Sequence, residues 1–238
     1  MVLRSLRLRA RGAAPGTQAG FFALEAGGSK TTYALQQSND AGIHLWVHVG
    51  SGTWKDIATL EETATPGAQN VQLAVQGERA VVVWRTSKAV VSASYDSTGT
   101  SSGPTKVTGC DFALGLSTLS SGRNAVWLSC PSGTADTVLR STDEGATWHP
   151  VAVPGDSGRH VIGAIDANHA VISTANGLGV LATDESLQDA TLPPGVASSD
   201  WVYIGFTNPT HGFAITGDGQ LLRSTDGGHT WRTVTYTG

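Results

Sequence analysis

One stretch of this chain is written twice. "VLRSTDEGATWHPV" ends at Val151, and "LLRSTDGGHTWRTV" ends at Val234, an offset of 83 residues. Over the fifteen residues 137–151 and 220–234 there are nine identities. They are Leu139, Arg140, Ser141, Thr142, Asp143, Gly145, Thr147, Trp148 and Val151, against Leu222, Arg223, Ser224, Thr225, Asp226, Gly228, Thr230, Trp231 and Val234. A catalytic centre is built once, whereas a structural part is reused, so the duplication points first to a repeat architecture. The offset is two periods of about 41 residues, the length of one four-stranded propeller blade.

That period predicts where other units lie. Five apolar runs open them: "GFFALEA" at Gly20, "NVQLAVQ" at Asn70, "DFALGLS" at Asp111, "HVIGAID" at His160 and "WVYIGFT" at Trp201. Second runs follow ("TTYALQQ", "RAVVVWR", "NAVWLSC", "HAVISTA", "HGFAITG"), then third runs ("IHLWVHV", "AVVSASY", "TVLRS", "GVLAT", "QLLRS"). A fourth follows Trp148 and Trp231. Four short strands, five times over, predict an all-β propeller of four-stranded antiparallel blades, at about 20–61, 70–107, 110–154, 158–193 and 200–238. The first run, apolar on both faces, is expected to be a strand buried between neighbouring blades. No run keeps helical periodicity, and 30 glycines with a single Met suit turns and strands rather than helices.

The duplicated stretch carries Ser-x-Asp-x-Gly-x-Thr-Trp in full, as Ser141, Asp143, Gly145, Thr147, Trp148 and as Ser224, Asp226, Gly228, Thr230, Trp231. It resembles the Asp-box, or bacterial neuraminidase repeat, of sialidases, other exported propellers and propellers similar to photosystem II assembly factors. The other units keep worn copies, such as "GSGTW" at 50–54 and "SASYDSTGT" at 92–100. In the family, the box sits between the third and fourth strands on the outer rim. The resemblance therefore implies structural roles: Asp and Ser bond their own turn, Gly supplies a positive φ, and Trp buries its ring. Propellers of this family usually have six or more blades. Residues 1–19 are accordingly expected to be either a strand that closes the ring or a remnant of a preceding blade.

The family also raises a glycoside hydrolase. Sialidases resemble one another in an Arg-Ile-Pro segment, three arginines on the substrate carboxylate, an Asp acid and a Tyr nucleophile paired with a Glu. This chain has no Arg-Ile-Pro. Tyr203 lies on a first run, and Glu25 and Asp166 lie on or near others. Arg79, Arg123 and Arg159 belong to turns or entries, and Arg140 and Arg223 lead into the boxes. Without an arginine cluster a carboxylate has no bidentate partner. No catalytic residue is therefore assigned, and a truncated or degenerate sialidase-like enzyme is the alternative. No metal or cofactor site is expected either: His44 and His48 share a strand face but stand about 13 Å apart. "GSGTW" and "GDSGR" precede no helix that could cradle phosphate.

Charge narrows the partners. Arg4, Arg7, Arg9 and Arg11 open the chain, leaving 11 basic against 19 acidic residues from position 12 onward, a balance of −8. Such a body repels a phosphate backbone, so nucleic acid is not expected. No apolar run is long enough to span a membrane. The expected partner is a protein or glycan, with self-association through exposed blade edges as a further expectation. An assembly factor similar to the photosystem family is a second non-enzymatic alternative.

Cys110 and Cys130 are equidistant from residue 120, where "LSSG" reads as a turn. A hairpin centred there would oppose them within disulfide range. A bridge is expected, and with it an exported or envelope location. The N-terminus has no apolar signal-peptide core, so a cytoplasmic location, or a start downstream of the natural one, stays open.

Overall fold

The computed structural model describes residues 21–27, 30–37, 42–60, 70–111, 116, 118–132, 135–155, 158–196 and 200–235. The basic segment 1–19 lies outside these residues, as does most of the run 111–117 expected to open the third unit.

The described residues form five four-stranded antiparallel sheets and no helix. The first is β1 (Phe21–Gly27), β2 (Thr31–Gln37), β3 (Ile43–Val49) and β4 (Lys55–Leu60). The second is β5 (Val71–Gln76), β6 (Arg79–Arg85), β7 (Val90–Tyr95) and β8 (Thr105–Lys106). The third is β9 (Thr118–Ser121), β10 (Val126–Ser132), β11 (Ala135–Ser141) and β12 (His149–Val151). The fourth is β13 (Ile162–Ala164), β14 (His169–Thr174), β15 (Gly177–Ala182) and β16 (Leu187–Asp189). The fifth is β17 (Trp201–Phe206), β18 (Gly212–Thr216), β19 (Leu221–Ser224) and β20 (Arg232–Thr233). In every sheet the strands pair in chain order, and β1, β5, β9, β13 and β17 stand side by side in turn. This is a five-bladed β-propeller.

Its cores lie between blades. One apolar cluster joins the first blade to the second through Tyr33, Leu35 and Leu45 against Leu73 and Val82. Three more join the second to the third, the third to the fourth and the fourth to the fifth. Each fully buried Val or Leu stabilises by about 1.5–3 kcal/mol, so these seams carry the fold. Second strands run deep in these seams, and in the fourth blade the first strand, β13, is buried at every residue. Val81, Val82 and Val83 of β6, like Val126, Trp127 and Leu128 of β10, are fully buried. A second strand has a hydrogen-bonded neighbour at both edges, whereas a first strand has a neighbour at one edge and the channel at the other. At the rim, β8, β12, β16 and β20 are two or three residues long. Edges that short offer little template for pairing with another chain.

Cys110 and Cys130 are disulfide-bonded, with Cα atoms 5.5 Å apart. The expected bridge is present, but the hairpin expected to make it is not. Ser121 pairs with Val126 across a turn at 122–125, and "LSS" is strand β9 rather than a turn. Cys110 instead reaches Cys130 because the Asp111 N–H donates to the Pro131 carbonyl (3.0 Å) and lays the incoming chain beside β10.

Candidate functional site: the central channel

The first strands surround a cavity of about 380 Å³. Side chains alternate along a strand, so Ala23 and Glu25 of β1 reach the same face. Facing them are Gln72 of β5, Thr118 and Ser120 of β9, and Val202 and Tyr203 of β17. A second space of about 620 Å³ adjoins at the far ends of these strands, sharing Ser121 and Phe206 and bordered by Gly77, Arg123 and Asn208.

Two bulges shape this lining. Register shifts between Phe21 and Ala23 in β1, and between Trp201 and Tyr203 in β17. An extra residue breaks the alternation locally. In β17 this exposes two consecutive side chains, Val202 (61%) and Tyr203 (51%), while Trp201 stays buried. The Tyr203 ring lies across Gly205: a Cβ there would sit 2.7 Å from the Tyr203 Cζ. Glycine at 205 is therefore what lets the ring lie along the channel wall.

The electrostatics of the cavity are one-sided. Among its described lining residues, Glu25 is the one charged group. Glu25 touches channel water, yet the blades around it displace much of the bulk solvent, and this desolvation raises its pKa from 4.5 to about 7. Tyr203 is also raised, first by desolvation and then by the negative charge of Glu25. The two side chains, one from the first blade and one from the fifth, thus sense each other within the cavity.

None of the ten residues of the duplicated motif lines this cavity. They close the turns between β11 and β12 and between β19 and β20. In the first turn Ser141 Oγ donates to Asp143 Oδ1 (2.8 Å) and accepts from the Gly145 N–H (2.8 Å). Asp143 also accepts from the Thr147 N–H (2.8 Å) and Oγ1 (2.6 Å). The second turn repeats this with Ser224, Asp226, Gly228 and Thr230 at matching distances. Gly145 and Gly228 have φ of 84° and 87°. Trp148 and Trp231 are buried, and their Nε1–H groups donate to the Gly145 and Gly228 carbonyls. Desolvation pushes both carboxyls up. The hydrogen bonds from Thr147 and Ser141, and from Thr230 and Ser224, together outweigh it and hold both below the usual aspartate value.

The other candidates disperse. Asp166 leaves the channel and caps the β13–β14 turn, accepting from the Asn168 and His169 N–H groups. His44 bonds Asp56 (2.7 Å), and the His48 ring packs against Trp54 at a tilt of 47° with centroids 5.4 Å apart. Among the described residues no group of three or more His, Cys, Asp or Glu side chains could hold a metal. The motif also misses partners in neighbouring blades. Ser92 of β7 donates to the Gly145 carbonyl (2.6 Å) and accepts from Trp148 (2.9 Å). Nothing near Ser92 in sequence marks this.

No protein-family model matches the chain, and no curated protein matches it by sequence. Solved structures do match. The chain is similar to YCF48 from Cyanidioschyzon merolae, with 18% identity, a TM-score of 0.59, and 90% of this chain and 71% of that one covered. It is also similar to the GH74 xyloglucanase from Xanthomonas campestris (17%, 0.55, covering 90% and 38%). A third is the WD40 β-propeller domain of Doa1 (12%, 0.58, covering 90% and 67%). At these identities the likeness is one of fold, and it is the propeller.

Proposed function

We propose that the chain is an Asp-box propeller with a non-catalytic role: a binding or scaffold module that holds a protein ligand, or a glycan, at the central channel. The observation that supports this reading is the lining of the channel. It combines exposed Val202 and Tyr203 with the hydroxyls of Thr118 and Ser120, a mixture suited to recognition. Among its described residues it offers one carboxylate, where two-carboxylate glycoside hydrolysis needs a pair. The Asp-box turns, in this reading, serve the rim and leave chemistry to nothing.

A peptide-display library and a glycan array on the full chain, each repeated with Val202→Arg and with Tyr203→Ala, test the reading. Both positions are exposed, so both variants should keep the wild-type melting temperature. Binding lost in both variants supports the reading; binding indifferent to both overturns it.

One observation favours a second reading. Tyr203 and Glu25 share the cavity, the pair of residue types on which a sialidase-like hydrolase would rely. Among the described lining residues no arginine stands ready for a substrate carboxylate. Turnover of a fluorogenic sialoside that disappears in Tyr203→Phe would establish this second reading in place of the first.

A further inference from the structure

We propose that the channel contains a site for an organic cation, in which the Glu25 carboxylate receives the ammonium or guanidinium group of a lysine or arginine side chain and the Tyr203 ring covers it. This rests on the reading of the channel as a ligand site and names the chemistry of the ligand.

Three observations carry it. First, no hydrogen bond or ion pair to another described residue holds the Glu25 carboxylate, and no cation stands among the described lining residues. A carboxylate set among protein walls without a partner costs free energy that an incoming cation returns. Second, the phenol end of Tyr203 lies over Gly205, and the side chain is half exposed and lines the same space. A cation over a tyrosine face gains further attraction when water is excluded. Third, the body of the chain is acidic, at −8 from residue 12 onward, which favours the approach of a basic ligand.

The groups facing Glu25 are few. Tyr203 comes from β17, and Tyr33 lies opposite on β2 with its hydroxyl committed to the Glu78 carbonyl (2.7 Å). Gln72 and the Thr118 and Ser120 hydroxyls, from β5 and β9, are uncharged, as is Val161 ahead of β13. Because Glu25 ionises near pH 7, a cation bound by it should bind about tenfold more tightly at pH 8 than at pH 6.

The test is an amide chemical-shift titration of the full chain with three probes. They are n-butylammonium, the tripeptide acetyl-Gly-Lys-Gly-amide and its neutral norleucine counterpart. The expected result is that butylammonium and the lysine peptide shift the Val202 and Gly205 amides. Glu25→Gln, a near-isosteric change at an exposed channel position that should fold, should weaken both by about tenfold or more. Tyr203→Phe, which keeps the ring, should leave both within about twofold. Binding unaffected by Glu25→Gln overturns the proposal, as does silence from both cations. If the norleucine peptide binds as well as the lysine peptide, the cation site falls while the channel still stands as a ligand site. If butylammonium binds through Glu25 and neither peptide binds, the cation site stands and the peptide reading falls.

Discussion

The turn at 141–148 and the turn at 224–231 are the same object internally and different objects externally. Their own hydrogen bonds match within about 0.1 Å. Each also fastens its blade to the preceding one, by different chemistry. The first uses side chains: Ser92 joins Gly145 and Trp148, and Arg79 pairs with Glu144 (2.8 Å). The second uses backbone: the Thr191 N–H donates to the His229 carbonyl (2.8 Å), and the Trp231 N–H donates to the Thr191 carbonyl (2.9 Å). Between the shared Asp and Gly the first turn has Glu144 at φ 58°, where the second has Gly227 at φ 73°. The repeated letters therefore encode the turn, and each seam is solved separately.

The largest effect should come from what the two turns share. Trp148→Ala and Trp231→Ala each remove a buried ring from an inter-blade cluster and should each cost about 3–5 kcal/mol. Chemical denaturation measures this. A cost under about 1 kcal/mol for either would break the equivalence of the turns.

Next comes the carboxylate. Asp143→Ala and Asp226→Ala each leave a Thr N–H and two hydroxyls without their acceptor, and should cost about 1–3 kcal/mol. Both carboxyls sit below their ordinary value in the folded chain, so their stabilisation is present above the unfolded pKa. It is lost as pH falls through the depressed folded one. Wild type should therefore lose stability below about pH 4 more steeply than the double variant. Parallel acid-unfolding curves would refute the link. Glu25 works in the opposite sense: its raised value removes stability as pH rises from 4.5 toward 7, so Glu25→Gln should gain on wild type over that range.

These contrasts show why some features are legible in the sequence and others are not. The bonds inside each turn span two to four residues, so a short motif holds all their partners. Ser92 stands 53 residues from Gly145, in a blade whose own copy of the motif is worn, and its role exists only once blades pack. The blade count follows from a period and survives local errors. At the third blade most of "DFALGLS" lies outside the described residues, and the described first strand is β9, at 118–121. The disulfide is anticipated through the wrong hairpin, because the observed β9–β10 turn is centred between residues 123 and 124 rather than at 120. In the channel, Tyr203 and Glu25 can be nominated from their place on first runs. Their joint exposure depends on two bulges and on Gly205 beneath the ring, and alternation alone predicts neither.

The smallest effects separate the two seams most sharply. Ser92 is fully buried, and Ser92→Ala deletes a donor to the Gly145 carbonyl and an acceptor for Trp148. Trp148 keeps its own bond to Gly145 (3.1 Å), so the loss should be moderate, about 1–2 kcal/mol. Thr191 is exposed and joins the fifth blade through its backbone alone, so Thr191→Ala should stay within about 0.5 kcal/mol of wild type. Thr191→Pro removes the N–H that His229 requires and should cost as much as Ser92→Ala or more. Equal losses for the two alanine variants would mean that the seams are not built from different chemistry. A tolerated proline would mean that the backbone bridge contributes nothing to the fifth blade.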